Sequence, residues 1–470
     1  MAKRKSKTEV KNKLTGEEIT VDQVFARSME TVQEKLLKKG VLVGHNDTLT
    51  VLPVPAFIIR YLLQNTGLPM SCVYQVVGPQ GCYKSTLAIE MLRWHRLCGG
   101  LGQLNEAETK PTPEMRNAVL NWDTGAVKVE DCATLEDWQR KTLMGTAQWQ
   151  KDCEKYAHIG RKHPFCMIVD SLTGKASEKT LANIDKEGHA GMHFPVEAKL
   201  IADFMRAYPQ KLLGWPITFV GVNHMKIAED KITGQIDYNI PGGWALKFQC
   251  AAILQMDKIG QIKDFATYKA GTVMLKTIKN SYGADNIRIN VRFKTWYQED
   301  APGIHRLHSR FEWWEAGILF LASGQGMTQA KAKAFVPRAR EVCDIHEKSG
   351  GSAGKLYWSK RLGVPSSDAM PAHDLGMQLE LRPDVLTDLY ELCEITQQPY
   401  FQPGVDYMKQ QAGNEHIEAQ ADAIAVTVSQ LKSLQEEQEA LGPTPEQYPQ
   451  PVTEAPTAWP TSSVENPEEL

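Results

Sequence analysis

Between about residues 50 and 300, short apolar runs alternate with stretches of helical spacing. Strand-like runs fall at 72–77, 102–104, 165–169, 217–222, 251–255, 271–278 and 287–293. They are three to eight residues long and mostly apolar throughout, as strands buried on both faces are. Helical periodicity fills 86–97 and 195–213. Strand and helix taken in turn predict an α/β domain with a mainly parallel sheet flanked by helices. The last three strands have no helices between them, which predicts an antiparallel edge. Ahead of this region, 21–39 places Val24, Met29, Val32 and Leu36 on one side of a helix that Thr20 would cap. Behind it, 305–400 is mixed and mostly helical, at 329–346, 367–375 and 383–396.

Composition adds limits. With 42% apolar and 23% charged residues the chain has the balance of a soluble globular protein. No run of 18 apolar residues predicts a membrane span. The start, MAKRKSKTEVKNK, is basic but lacks the apolar core of a secretory signal. The nine cysteines stand singly with no CxxC pair, which predicts a reducing compartment and no disulfide framework. The net charge of −3 is unevenly spread. Residues 411–470 hold 11 acidic residues and one lysine, leaving +7 on residues 1–410. A basic body with an acidic tail suits a polyanion partner. The end of the tail is rich in Pro, Glu, Thr and Ser, and so too poor in apolar residues to order itself.

Candidate chemistry starts at GPQGCYKST, residues Gly78, Pro79, Gln80, Gly81, Cys82, Tyr83, Lys84, Ser85 and Thr86. A strand leads in and a helix leads out, the context of a phosphate-cradling loop. Its N–H groups and the helix N-terminus would face phosphate, with Lys84 on the β- and γ-phosphates and Ser85 on Mg²⁺. Asp170 closes an apolar strand and fits a ligand of the Mg²⁺ water shell. Glu106 and Glu108 follow another strand, and Glu108 is the preferred base for activating water. The one departure is Tyr83, where the usual motif has glycine.

In this order the motifs resemble the RecA family of strand-exchange recombinases. Gly67-Leu68-Pro69-Met70 with GPQGCYKST resembles its strand entry and loop. Leu104-Asn105-Glu106-Ala107-Glu108 is similar to the strand that ends in its catalytic glutamate, and Ile168-Val169-Asp170-Ser171 to its second nucleotide motif. His224, in Val222-Asn223-His224-Met225-Lys226, stands where the family senses the γ-phosphate with Gln. Gly242-Gly243-Trp244-Ala245-Leu246-Lys247-Phe248 resembles the run that closes its second DNA loop. Of the family's two interface lysines Lys279 matches, while the second position reads Ser281. Because phage relatives tolerate an aromatic residue at the Tyr83 position, the likeness is strongest to the bacteriophage RecA-like recombinases of the UvsX type. Tyr83 is compatible with the cradle if its ring points outward, towards a neighbouring subunit.

The resemblance implies a RecA-like P-loop ATPase core over 46–303, binding ATP and Mg²⁺ and carrying two DNA-binding loops. A basic arm and oligomerisation helix precede it (1–45), and a small α-rich domain (304–402) and a disordered acidic tail (403–470) follow. The first DNA loop would be 183–194, with Met192 or Phe194 as a wedge between bases and Lys199 on the following helix. The second would run over 226–243, with Lys226, Lys231, Ile232, Ile236, Gly242 and Gly243 at the DNA. Glu108, Lys84 and His224 would be catalytic, and Lys279 would reach the neighbouring subunit's nucleotide. The implied activity is ATP-dependent binding of single-stranded DNA, filament formation, and pairing and strand exchange with homologous duplex. The implied setting is the cytoplasm of an infected bacterial host, with no membrane contact, and the tail would meet a single-strand-binding or mediator protein. Two other readings fit the same motifs: a RecA-core motor or helicase, and a non-hydrolysing, nucleotide-gated scaffold. No chemical role is read for the long insertion over 109–160.

Overall fold

The computed structural model describes residues 9–11, 18–20, 50–108, 112–155, 163–187, 194–229, 236–241, 243–264, 268–351 and 354–411. The helix expected over 21–39 and residues 412–470 of the acidic tail lie outside these residues, whereas 403–411, expected as part of a disordered tail, belong to a helix, Gln402–Gln411. Thr20, expected as a helix cap, ends a strand: β1 (Glu9–Lys11) pairs antiparallel with β2 (Glu18–Thr20) in and just after the stretch expected as an arm.

The core begins with β3 (Val51–Leu52), α1 (Phe57–Leu63), β4 (Leu68–Pro69), β5 (Cys72–Gly78), α2 (Lys84–Leu97) and β6 (Leu101–Glu106). It continues with α3 (Pro113–Val119), β7 (Val127–Asp131), α4 (Leu135–Lys155), β8 (Phe165–Asp170), α5 (Glu178–Glu187), α6 (Phe194–Ala207), α7 (Pro209–Leu212) and β9 (Ile217–His224). After these come β10 (Lys226–Glu229), β11 (Ile236–Asn239), α8 (Gly243–Gln249), β12 (Ala252–Asp264), β13 (Lys269–Asn280), β14 (Arg288–Ala301) and β15 (Ile304–Phe311). The described chain closes with α9 (Trp313–Ser323), α10 (Gln329–Cys343), β16 (His346–Ser349), β17 (Lys355–Trp358), α11 (Ala372–Glu380), α12 (Pro383–Leu392) and α13 (Gln402–Gln411).

One nine-stranded sheet, ordered β15-β14-β13-β12-β5-β9-β8-β6-β7, organises the molecule. From β12 to β7 neighbouring strands run parallel, and β12 to β15 are antiparallel, as the missing helices required. Alternate side chains of β5 feed two cores. Tyr74 and Val76 join one with α1, α2, α9, α11 and α12, while Val73 and Val77 join another with α4, α6, α7 and α8. Period-2 alternation between two apolar layers is why this strand carries apolar residues almost throughout.

Several expectations are corrected. The insertion over 109–160 supplies α3, β7 and α4, so it adds a parallel edge strand and a covering helix to the sheet. The helical stretch over 195–213 divides at Tyr208, because Pro209 cannot donate to the preceding turn and starts α7 instead. Residues 183–187, expected as loop, continue α5. The second loop contains an antiparallel hairpin, with Lys226 opposite Asn239 and Glu229 opposite Ile236. The expected boundary at 303/304 falls in the turn between β14 and β15, which pair from Phe293–Phe311 to Ala301–Ile304. The helical region after it shares its core with α1 and the sheet.

A buried ion pair fastens that region down. Arg60 of α1 is 2% exposed, and its Nη1 lies 2.8 Å from Glu380 Oε2 of α11. Arg60 also donates to Tyr390 Oη at 2.9 Å and to the Val54 carbonyl at 3.0 Å, while Glu380 Oε1 accepts from the Phe57 N–H at 2.6 Å. Burial pushes the Glu380 carboxyl up, and Arg60 and the Phe57 N–H pull it back towards the charged form. Removing one member strands the other charge, which costs about 3–5 kcal/mol. Glu380→Ala should therefore lower the denaturation midpoint sharply, whereas the paired change Arg60→Met with Glu380→Leu should lose much less.

Candidate functional site at the carboxyl ends of the parallel strands

Parallel pairing sets the site. Gly78 pairs with His224, Val222 with Asp170, and Asp170 with Glu106, so β8 and β6 end level, β5 and β9 end two residues further on, and all four open on the same side. Crevices outside the carboxyl ends of such strands are where α/β sheets bind ligands. A cavity of about 260 Å³ lies there, lined by residues 80–86 of the loop with Glu108, Met115, Asp170 and His224.

The loop has strict backbone needs. A Cβ on Gly78 would sit 2.2 Å from the Met256 carbonyl of β12, so only glycine allows that approach. Gly81 takes the left-handed region at φ 76°, and Tyr83 does so as well at φ 66°. Such a φ costs an L side chain about 1–2 kcal/mol, which is why glycine is the usual choice at that point of the loop. Tyr83 offsets the cost by packing its ring on Phe293 of β14, with centroids 4.6 Å apart, a contact worth about 0.5–1.5 kcal/mol. The outward ring expected to reach a neighbouring subunit thus has a partner in its own sheet. Cys82 is buried behind the loop and donates to the Pro79 carbonyl at 3.0 Å.

The charged groups gather in front of it. Lys84 opens α2, and its ammonium donates to the Pro79 carbonyl at 2.6 Å. The Ser85 hydroxyl donates to Asp170, which is 5% exposed. Burial pushes the Asp170 carboxyl up to about 6, with Glu108 adding to the rise and Ser85 and Lys84 opposing it. Glu108 Oε1 is hydrogen-bonded to His224 Nε2 at 2.6 Å and accepts from Ser171 Oγ. The alternative base, Glu106, is buried against Arg116 at 2.6 Å, so its carboxylate is committed to an ion pair. The donor set, one hydroxyl and one or two carboxylates beside a phosphate loop, fits Mg²⁺, which prefers few protein oxygens plus phosphate and water. Among the described residues no cluster of three or more His, Cys, Asp and Glu would hold a metal alone.

Other expected residues stand apart. Lys279 of β13 donates to the Lys247 and Phe248 carbonyls at 3.0 and 2.8 Å, capping α8 rather than entering this cavity. Lys199 is exposed on α6, Phe194 begins that helix, Lys226 and Ile236 open the two hairpin strands, and Gly243 begins α8. Met192, Lys231, Ile232 and Gly242 lie outside the described residues. Sequence reasoning passed over Asn223, although it directly precedes His224. Its buried amide accepts from Thr173 Oγ1 and donates to the Pro241 carbonyl, each at 2.8 Å. It thereby ties the end of β9 both to the segment after β8 and to the far end of the second loop. Ser171, the neighbour of Asp170, was passed over in the same way. Met115 carried no polar signal at all.

No family model matches the chain. It is similar to the RecA protein of Azospirillum lipoferum, at 23% identity over 312 residues, covering 64% of this chain and 80% of the relative. It is similar to the RecA protein of Rhodospirillum centenum at 22% over 311 residues, again 64% of this chain and 80% of the relative. With the RecA protein of Tropheryma whipplei it shares 23% over 247 residues, 52% of each. These likenesses support the RecA family, and the α/β core with its nine-stranded, mostly parallel sheet agrees with a RecA-like fold. Among the described residues no helix is long and apolar enough to cross a membrane.

Two outcomes follow from this geometry. The folded-state carboxyl of Asp170 is raised above its unfolded value, so the folded chain holds an extra proton between about pH 4 and 6. Stability of the ligand-free chain should fall as pH rises through that window, by roughly 3 kcal/mol. Asp170→Asn should flatten that fall and be the more stable chain at pH 7 by denaturant titration. Tyr83→Gly relieves the left-handed backbone but loses the Phe293 contact and adds about 0.5–1 kcal/mol of chain entropy to the unfolded state. Its stability should stay within about 1 kcal/mol of the parent.

Proposed function

We propose that the chain is an ATP-dependent recombinase that binds single-stranded DNA, assembles on it as a filament, and promotes pairing and strand exchange with homologous duplex. One observation carries the reading: the Glu108–His224 hydrogen bond, which joins the water-activating side of the site to the residue from which the second-loop hairpin departs. A plain phosphate-loop hydrolase has no need of that link.

In this reading Lys84 and the loop N–H groups hold the phosphates of ATP, and Ser85 and Asp170 hold Mg²⁺ and its water. The bound Mg²⁺ would supply charge neutralisation on the phosphate oxygens. Glu108 accepts the proton of the attacking water, with Ser171 and His224 fixing its orientation. When His224 turns towards a γ-phosphate it loosens its hold on Glu108 and draws on the start of the hairpin. Asn223 carries the same movement to Pro241, where the loop ends. Hairpin order would then follow nucleotide state, a ligand-driven switch. Lys279, Met192, Phe194, Lys199, Lys226, Lys231, Ile232, Ile236, Gly242 and Gly243 keep the roles expected for them, across the subunit interface or at DNA. The tail would meet a single-strand-binding or mediator protein. Kinship with phage recombinases and work in an infected bacterial cell belong to the same proposal.

Steady-state ATP turnover, measured with and without single-stranded DNA, tests the reading. DNA should stimulate turnover, Lys84→Ala should abolish nucleotide binding, and Glu108→Ala should keep binding but lose about 10²–10⁴ in rate. Absence of DNA-stimulated turnover would favour a non-hydrolysing scaffold, and rings in place of helical filaments by electron microscopy would favour a motor. His224→Ala and Asn223→Ala should each retain nucleotide binding while losing the gain in DNA affinity that ATP brings. If both keep that gain, the coupling through β9 is wrong.

A further inference from the structure

The β14–β15 hairpin carries a second concentration of chemistry that the phosphate loop does not use. Register places Lys294 opposite Arg310, Trp296 opposite His308, and Gln298 opposite Arg306. Residues two apart on a strand, and those directly opposite on its partner, share a face, so these six side chains form one surface. Tyr268 joins them, two residues before Ala270, which pairs with Lys294. From Arg288 to Phe311 the hairpin holds five Lys or Arg and two acidic residues.

Cations and rings on this surface are laid against each other. Arg310 lies over the Trp296 ring at 5.0 Å, and Lys294 over Tyr268 at 4.8 Å. Beside the edge strand, Arg306 lies over Trp122 at 5.0 Å. His308 stacks on Trp296 with 22° between the planes. Glu312 fixes two of the cations from behind, with Arg310 Nε at 2.9 Å and Lys294 Nζ at 3.8 Å. That carboxylate is 2% exposed, and despite its burial the neighbouring His373 and Arg310 hold it down at about 2, so it stays charged. Two adjoining cavities open on the surface. One of about 260 Å³ is bounded by Tyr268, Lys294, Trp296, Tyr297 and Arg310. The other, about 210 Å³, adds Arg93, Asn121 and Gln298 around the same Trp296 and Arg310.

We propose that this hairpin face is a second contact for single-stranded polynucleotide, separate from the two loops at the carboxyl ends of the strands. Charge selects a polyanion, and the rings select one whose bases are unstacked and able to lie against Tyr268 or Trp296. Each cavity falls below the roughly 300–1,000 Å³ of pockets for compact drug-sized ligands. Two of them sharing a wall suit consecutive units of a chain. Backbone phosphates would meet Arg306, Lys294 and Arg93, so binding depends on salt and not on sequence. The contact needs no nucleotide, because nothing in it touches the phosphate loop.

The test uses the full chain with a photo-crosslinking oligothymidylate, and maps the linked peptides. Crosslinks within 268 or 294–310 should form in the wild type and persist in Lys84→Ala, where the loops receive no signal from ATP. A charge reversal, Arg306→Glu, and an added negative charge at the exposed Gln298, Gln298→Glu, should each weaken nucleotide-free binding about tenfold, and the loss of the Arg306 contact should reduce the salt slope by about 0.7. Turnover without DNA should be unchanged, which also reports that both variants fold. No crosslink on the hairpin, an unchanged salt slope, or duplex DNA competing as well as the single strand would overturn the proposal. ATP-gated DNA binding with no hairpin crosslink would leave the recombinase reading standing alone. Hairpin crosslinks without ATP gating would do the reverse.

Discussion

Parallel pairing brings the ends of four strands together, with Asp170 and Glu106 side by side and Gly78 and His224 paired two residues further on, and that edge bears an electrostatic load. Two carboxylates, Asp170 and Glu108, sit close enough that each raises the cost of the other's charge. The site survives because every charge has an assigned neighbour. Ser85 donates to Asp170, His224 and Ser171 address Glu108, and Arg116 removes Glu106 from the cluster. Burial raises the Asp170 carboxyl, and these neighbours keep the cluster within what the fold tolerates.

Much of this was legible beforehand. Strand β5, the loop and the start of α2 read directly from a mostly apolar run and glycine placement, and so did Asp170 at the end of an apolar run. The preference for Glu108 over Glu106 came with the resemblance, and the Arg116 ion pair that occupies Glu106 could not be read from the sequence. What could not be read was long-range. The partner of Tyr83 is Phe293, 210 residues further on, and no local pattern announces it. Strand β7 has a polar, exposed edge sequence, VKVED, without the apolar run that marks a buried strand. The hairpin in the second loop alternates too weakly over four residues per strand to be distinguished from loop. Asn223 looked like a neighbour of the sensing residue, and only three-dimensional closure shows it holding Thr173 and Pro241 together.

The antiparallel edge and the parallel centre answer different demands. The centre must end its strands on one side to build a site, and helices cover both of its faces. The edge, from β12 to β15, is free to run long, with strands of up to 14 residues. Length there carries Trp296 and Arg310 beyond Phe293, past the last residue that packs against the phosphate loop. One ribbon therefore serves the core at its base and presents chemistry towards its tip.

The seam between the start and the end of the described core also bears on how the protein is made. Val51 donates to the Pro399 carbonyl and accepts from the Phe401 N–H, Thr66 donates to the Thr396 carbonyl, and Asn65 bonds Gln398. Tyr407 packs where a side chain on Gly99 would have to go. A chain leaving the ribosome must synthesise some 350 residues after Val51 before that seam can close. At roughly 5–20 residues per second this is tens of seconds during which α1 and β3 lack their final cover. The phosphate loop and its strands can pair well before then. Nascent apolar surface is thus exposed longest at β3 and α1, and chaperone demand should concentrate there rather than at the site.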